Sequence, residues 1–484
     1  VSLTEKKLFL CNCNGTLPLD AEALARVLQL ASAPNVHGQL CQKEIASLVD
    51  AEGDCLVACT QEAERFRDAV DEAKPQTIAF FNIREAAGWS QEAGAATPKI
   101  AALIAAAALP EPDPVPRVTF KSEGRLLIVG QADAALYWAE KLREQLAVTV
   151  LIMGRAVGQE LPATRGYPVY SGKLDRVSGW LGAFEAQWSQ DNPIDLEICT
   201  RCNACIKVCP EQAIDWSYQI DLDRCRDHRK CVAACGAIGA IDFDRGAAER
   251  ARSESFDLVL DLGAEPIFRM HQPPQGYWRP GPDPAAQAAA VVEVAAATGS
   301  FEKPKFFSYK PSICAHSRSE QRGCNLCIDV CSTEAIRTAD DNTNHVFVEP
   351  HLCMGCGACA TVCPSGAMSY VYPSVPDLGA RIRTLLATYR AGGGREACLL
   401  FHDGAGSELI LALGRRGKGL PARVIPVELH HIASSGMDVW LGALAYGASE
   451  IAVLATGAEA PQYAEALERQ MGFTDTIAQS LGYQ

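Results

Sequence analysis

The sequence predicts an α/β protein: a degenerate Rossmann-like domain carrying two cysteine-dense modules, with a small α/β domain at each end. Three observations predict it. Short buried-strand patterns alternate with segments of helical period through most of the chain; cysteines crowd into two blocks, at 199–235 and 314–363; and a proline-rich stretch, LPEPDPVPR at 109–117, separates the first alternation from the rest. At 484 residues the chain exceeds what one hydrophobic core organises, and about three or four domains are expected.

Residues 1–112 form the first domain, with KLFLC, DCLVAC and QTIAFF as strands between Ala-rich helical segments. The prolines behind it stop helices and favour extended chain. The sheet domain takes 118–192 and 250–305. RLLIVG at 125–130, the amphipathic AALYWAEKLREQL at 134–146 and VTVLIMG at 148–154 make a strand, helix, strand unit that opens a parallel sheet. FDLVLDLG at 256–263 returns to it, so the cysteine block between, 193–246, reads as an insertion. A second module spans 306–373. The closing domain, 376–484, alternates EACLLF, ARVIPVEL and EIAVLA with helices around ELILALGRR and GMDVWLGALAYG, and its single cysteine is Cys398.

A net charge of −14 disfavours nucleic acid, whose backbone selects basic faces, and leaves proteins as the expected charged partners. No apolar run reaches the roughly 18 residues a membrane span needs; IAALIAAAAL at 100–109 and AAQAAAVVEVAAA at 285–297 read as helices of a soluble protein. VSLTEKKLFLC shows neither an export signal nor a twin-arginine. In such a chain 21 clustered cysteines point to metal sites rather than disulfides, and to the cytoplasm.

CTRCNACIKVCP at 199–210 and CMGCGACATVCP at 353–364 are complete CxxCxxCxxxCP motifs. Three thiolates from one tight loop can face three irons of a cubane, while the fourth cysteine reaches the neighbouring cluster. A small residue followed by Ile or Met recurs behind each half-motif: CPEQAI at 209, CGAIGAI at 235, CSTEAI at 331, CPSGAM at 363. The two blocks are therefore repeats, and each reads as a 2x4Fe-4S ferredoxin-like module. Structural zinc, which prefers separated CxxC knuckles, fits this compact spacing poorly.

Crossing the fourth ligands assigns four 4Fe-4S clusters. Site one takes Cys199, Cys202, Cys205 and Cys235; site two takes Cys225, Cys231 and Cys209; site four takes Cys353, Cys356, Cys359 and Cys331. Site three has Cys324, Cys327 and Cys363, and its first ligand should fall on Gln321, which cannot bind iron as a thiolate would. Cys314, displaced upstream by AHSRSEQRG, is the natural substitute.

In CRDHRKCVAAC at 225–235, His228 stands at the second ligand position of site two. Three readings stay open there. Imidazole ligates iron and, being neutral, raises the potential; the corner iron is absent and the cluster is 3Fe-4S; or His228 only hydrogen-bonds a sulfur. Arg224, Arg226, Arg229 and Lys230 beside it would stabilise a reduced cluster or dock an acidic partner. The adjacent His430 and His431 lie at a strand end, where neighbours face opposite ways, and no shared ligand role is expected of them.

LFLCNCNG, QLCQKEI, DCLVACTQEAERF, FFNIREAAGW and ATPKIAAL resemble, in order and spacing, the N-terminal domain of the A subunit of heterodisulfide reductase. The resemblance implies a thioredoxin-reductase-like flavin domain carrying ferredoxin modules behind it, with 124–154 and 256–305 as its remnants. It also implies a further cluster on Cys11, Cys13, Cys41 and Cys59, with Cys55 as an alternative ligand; a CxC pair plus two separated thiolates can close around one centre, and buried free cysteines are the plainer reading. The tail resembles the small delta subunit of the associated hydrogenase but lacks its paired cysteines. Departures from the family weigh against flavin: Ala132 and Ala135 put methyls where a dinucleotide site has its second and third glycines after Gly130, and VTVLIMGR ends without an acidic residue for ribose. FAD is not expected. The layout also resembles polyferredoxin-like proteins associated with bacterial formate dehydrogenases.

The function expected is an electron-transfer protein relaying single electrons between a dehydrogenase, formate dehydrogenase by the last resemblance, and another redox partner. It is expected to act within a complex or homo-oligomer and not as a stand-alone catalyst. Two alternatives remain: a flavin-dependent electron-bifurcating subunit of a heterodisulfide-reductase-like complex, and an assembly or scaffold factor for a dehydrogenase.

Overall fold

Seven strands form the central sheet of the computed structural model, which describes residues 3, 6–70, 77–154, 158–162, 166–190, 192–316, 323–339 and 345–483. Their order is Ala251–Phe256, Phe184–Ser189, Val169–Ser178, Ala147–Met153, Arg125–Gly130, Leu258–Leu262, Tyr277–Trp278. From Val169–Ser178 to Tyr277–Trp278 every neighbour is parallel, and the first two strands extend the sheet antiparallel. The near-continuous apolar run of RLLIVG has a physical reason: side chains alternate across a strand, and both faces here are covered. Leu126 and Ile128 enter one core, Leu127 and Val129 the other. Helix Ala132–Leu142 makes the crossover between Arg125–Gly130 and Ala147–Met153, and the buried carboxylate of Asp257 accepts hydrogen bonds from the Glu123 and Arg125 amides and the Arg125 guanidinium, fixing the ends of the two central strands.

The first cysteine module leaves the sheet after Ser189 and returns at Ala251, two residues paired directly in the antiparallel ladder. Such an insertion costs the sheet nothing, because the ladder simply opens at its end. Bridges Ile194↔Ile241 and Ile214↔Ile220 close the module, and Ile194, Leu196 and Ile214 join the same buried core as Leu126 and Ile128. A separate two-stranded ribbon, Arg117–Ser122 with Gly299–Pro304, leads from the sheet to the second module. There Phe307–Tyr309 pairs with Met368–Tyr370, and Ile336–Thr338 with Val346–Val348.

Each end of the chain builds a small parallel sheet. The first is ordered Val36–His37, Lys7–Cys11, Cys55–Val57, Ile78–Phe80; the last, Val424–Glu428, Cys398–His402, Glu450–Val453. These two domains, far apart in sequence, pack on each other. Ala102 of helix Thr97–Ala107 is buried in the core formed by Leu378, Leu385 and Phe401. The fully buried Lys99 ammonium donates to the carbonyls of Leu420 and Pro421, at 3.4 and 2.9 Å. Arg415 reaches Glu85 at 3.0 Å, and Glu92 accepts from the Ala422 amide at 2.8 Å. No helix among the described residues is long and apolar enough to cross a membrane.

Candidate iron–sulfur centres

The backbone shapes the ligand loops before any side chain does. Arg201 and Asn203 take φ of 57° and 65°, Gly355 and Gly357 77° and 79°, and Asp227 and Arg229 57° and 56°. This left-handed pair, two and four residues past the first cysteine, turns amides inward: the Arg201 N–H donates to Cys199 Sγ at 3.4 Å, and the Gly355 and Ala358 N–H groups donate to Cys353 and Cys356. The chain then enters a short helix, Ala204–Val208, Lys230–Cys235 or Ala358–Thr361, which carries Cys205, Cys231 or Cys359. CRDHRKC therefore has the backbone of a complete ligand loop, and His228 occupies in it the place of Cys202 and Cys356. The Asn325 φ of −111° departs from this pattern, as does the sequence of site three. Gln321 lies outside the described residues.

The thiols gather in groups whose members perturb one another. Cys199 faces Cys235 and Cys202, and burial with those neighbours pushes its thiol up; Cys205, buried beside Cys199 and Cys202, is pushed up to about 11. Cys202 is exposed, and the Ala204 amide holds it below the ordinary thiol range. Burial, then Cys209 and Cys225, raise Cys231. Cys327 is pushed up to about 12 by burial and by Cys363, Cys314 and Cys324, which places Cys314 with the other three of site three. His316 Nδ1 lies 2.9 Å from the Cys324 carbonyl.

Site four lies deep among the protein's atoms, although each of its four cysteines keeps some surface. Burial followed by Cys331 and Cys353 pushes Cys356 up to about 11, and Cys359 is raised well above an ordinary thiol by burial, Cys356, Cys353 and Cys331. Gly357 stands against the closing domain: a Cβ there would lie 2.5 Å from the Ser434 side chain. Gly357→Ala, which adds that clash to a left-handed φ, is expected to destabilise the protein by roughly 1–3 kcal/mol, visible as a lower thermal midpoint.

In the first domain Cys11, Cys13, Cys41 and Cys59 line one cavity of about 610 Å³. Cys55 stands apart, its thiol turned to the Gly53 carbonyl at 3.4 Å within the core. Arg84 donates to Cys13 Sγ at 3.6 Å and pairs with Glu85 at 2.6 Å. Burial would push the Glu85 carboxyl up, yet the guanidiniums of Arg84 and Arg415 hold it below the usual range.

His228 is half exposed, and its Nε2 lies 3.1 Å from Glu211 Oε1. With Nε2–H donating to that carboxylate, the neutral ring keeps its Nδ1 lone pair for a metal, the arrangement in which carboxylates orient ligating histidines. His430 stacks on Phe306 at 4.8 Å, and His431 Nδ1 accepts from the Ala433 amide at 3.0 Å. These two are structural.

The donor chemistry fits iron–sulfur clusters. Four thiols held together in a poorly solvated pocket are costly to ionise alone, and a cationic, thiophilic core offsets that cost. Among the described residues no three His, Cys, Asp or Glu side chains converge tightly enough for a single metal ion; a cubane, several ångströms across, holds its thiolates farther apart than one zinc ion does. Lys303, Tyr463, Arg84 and Glu211 escaped the sequence reading, since each is one residue far from the cysteines it serves or without a repeating pattern.

Residues 192–236 and 322–367 each match a family described as a 4Fe-4S dicluster domain. The chain is 23% identical over 405 residues, 68% of its length, to the iron-sulfur A subunit of CoB--CoM heterodisulfide reductase from Methanocaldococcus jannaschii, and spans 61% of that protein. Over 60 residues, 12% of this chain and 31% of the relative, it is 37% identical to an uncharacterised ferredoxin of the same organism. Over 51 residues, 10% of this chain and 60% of the relative, it is 36% identical to a protein named ferredoxin 7Fe, from Hydrogenibacillus schlegelii. The chain is an iron–sulfur electron-transfer protein of mixed α/β fold, with two 4Fe-4S dicluster domains and a sequence similar to the iron-sulfur A subunit of heterodisulfide reductase.

Proposed function

We propose that the chain is a conduit that relays single electrons between a dehydrogenase and a second redox protein through five clusters. The observation that carries this is the gathering of nineteen cysteines into five groups: Cys199, Cys202, Cys205 and Cys235; Cys209, Cys225 and Cys231, with His228 at the fourth ligand position of their loop; Cys314, Cys324, Cys327 and Cys363; Cys331, Cys353, Cys356 and Cys359; and Cys11, Cys13, Cys41 and Cys59. Bound clusters supply one-electron chemistry, and the protein's part is to hold them, exclude water and set their potentials. The exposed Cys202 makes site one the natural point of exchange with a partner, while site four, none of whose cysteines is exposed, suits an internal position. The work lies in a complex and in the cytoplasm.

The parallel strands of the central sheet follow the 3-2-1-4-5 order of dinucleotide-binding folds, so the flavin alternative has an observation behind it. Against it, the Ala132 and Ala135 methyls are buried at the start of the crossover helix, where pyrophosphate would need bare backbone. Denaturing the purified protein and assaying the supernatant decides: no flavin is expected, and stoichiometric FAD would overturn the conduit reading.

For site two we favour His228 as the ligand of the fourth iron, on the left-handed backbone pair around it and its hydrogen bond to Glu211. His228→Cys is then expected to lower that cluster's potential, because thiolate adds the negative charge that imidazole lacks. The similarity to a ferredoxin named for seven irons favours the alternative, since seven divides into a four-iron and a three-iron cluster. A 3Fe-4S resonance in freshly oxidised protein, with one iron gained in His228→Cys, would establish that alternative.

A further inference from the structure

Site four is contacted by the two domains that flank the second module. Tyr463, from helix Pro461–Ser480 of the closing domain, is fully buried, and its hydroxyl lies between Ser332 and the Cys356 thiol. Its ring is fixed edge-on by His431 at 5.3 Å. The second contact comes through the ribbon that leads from the central sheet. Lys303, only 9% exposed, sits beside Cys353, donates to the His351 carbonyl at 2.6 Å and lies over Phe120 at 4.8 Å. His351 in turn stacks on Trp180 of the sheet domain, ring centroids 4.8 Å apart. Beyond these structural contacts, each polar group lies toward a ligand sulfur. Negative charge lowers the cost of taking an ammonium out of water, and the anionic neighbours are Glu349, already paired with His351 at 2.7 Å, and the Cys353 sulfur.

We propose that Tyr463 and Lys303 are positioning residues that set the potential of the cluster on Cys331, Cys353, Cys356 and Cys359, which makes this the site whose redox poise depends on the docking of both flanking domains. The inference rests on the ligand assignment above. Each reduction adds one negative charge to the cluster, and a hydroxyl donating to one sulfur and an ammonium beside another both stabilise the reduced form. They act on different sulfurs, Cys356 and Cys353, and in the same direction. Site one is built differently, with its Cys202 facing solvent.

Anaerobic redox titration followed by electron paramagnetic resonance tests it on the full chain. Tyr463→Phe is expected to lower the reduction equilibrium constant of one cluster about tenfold, a fall of about 59 mV, and to leave the others in place. Lys303→Gln should shift the same cluster in the same direction, and Lys303→Arg, which keeps the charge, should restore it. Unchanged potentials in both Tyr463→Phe and Lys303→Gln would overturn the proposal, as would an equal drift of every cluster, which marks general loosening. Cys356→Ala separates this from its premise: if it removes no iron and erases no resonance, the ligand assignment itself is wrong.

Discussion

Protein prepared without oxygen is expected to contain about twenty iron and about twenty sulfide, and each of Cys205→Ala, Cys231→Ala, Cys327→Ala, Cys359→Ala and Cys41→Ala to remove about four of each, or about three iron with about four sulfide for Cys231→Ala where site two lacks its corner iron. The size of the step follows from how the thiols are grouped. Within a site they raise one another, so the three left after one substitution still carry the cost of crowding in a poorly solvated pocket but close the cluster less well. The five groups have no member in common. The losses should therefore be non-additive within a group and additive across groups. Cys356→Ala with Cys359→Ala should lose no more iron than either alone, while Cys205→Ala with Cys359→Ala should lose twice as much. A loss of one metal ion per group, with zinc in the digest, would replace the cluster reading by structural zinc. Cys41→Ala carries the most information, because the first domain lacks ferredoxin spacing and its cysteines come together from three separate stretches of chain around the cavity.

The ferredoxin modules were legible because their chemistry is local. Three ligands within seven residues fix a loop, and the repeat of that loop at 199, 225 and 353 announces itself in spacing alone. The alternating strands were legible wherever both faces are buried, as in RLLIVG and CLLF. Val169–Ser178 and Phe184–Ser189 were missed because one face of each meets solvent or the inserted module, which leaves VYSGKLDRVS and FEAQWS too polar to stand out. The mutual packing of the two end domains was invisible for a different reason: helix Thr97–Ala107 is Ala-rich and apolar on most sides, and nothing in its period says that Ala102 faces a second domain. Tyr463, Lys303, Arg84 and Glu211 share a last obstacle. Each contributes one polar group to a site built elsewhere, and a single residue has no period.

The native protein is expected to gain stability with pH above neutrality, and replacing Lys99 by Met to abolish that gain. Lys99 is wholly buried between the first and last domains, and burial pulls its ammonium down to about 7. In the unfolded chain it titrates near 10.4. Below about pH 7 both states hold the proton, and the folded state bears the full cost of a buried charge. Between about 7 and about 10.4 the unfolded state keeps a proton that the folded state has released, so stability climbs with pH at up to about 1.4 kcal/mol per unit. Met removes the titration and flattens that slope, while leaving the Leu420 and Pro421 carbonyls without their donor, a loss of about 1–3 kcal/mol. The native and substituted proteins should therefore differ little near pH 6–7 and diverge in favour of the native at pH 9, measured by denaturant melts at fixed ionic strength. Parallel curves would show that Lys99 stays protonated in the interface. The consequence reaches the clusters, since the same interface carries Arg415 to Glu85 beside the Arg84–Cys13 pair, and the domain it fixes also supplies Tyr463 to site four. Loosening it by mutation or by acid should disturb the first-domain group and site four together, and leave the inserted module's two sites as they were.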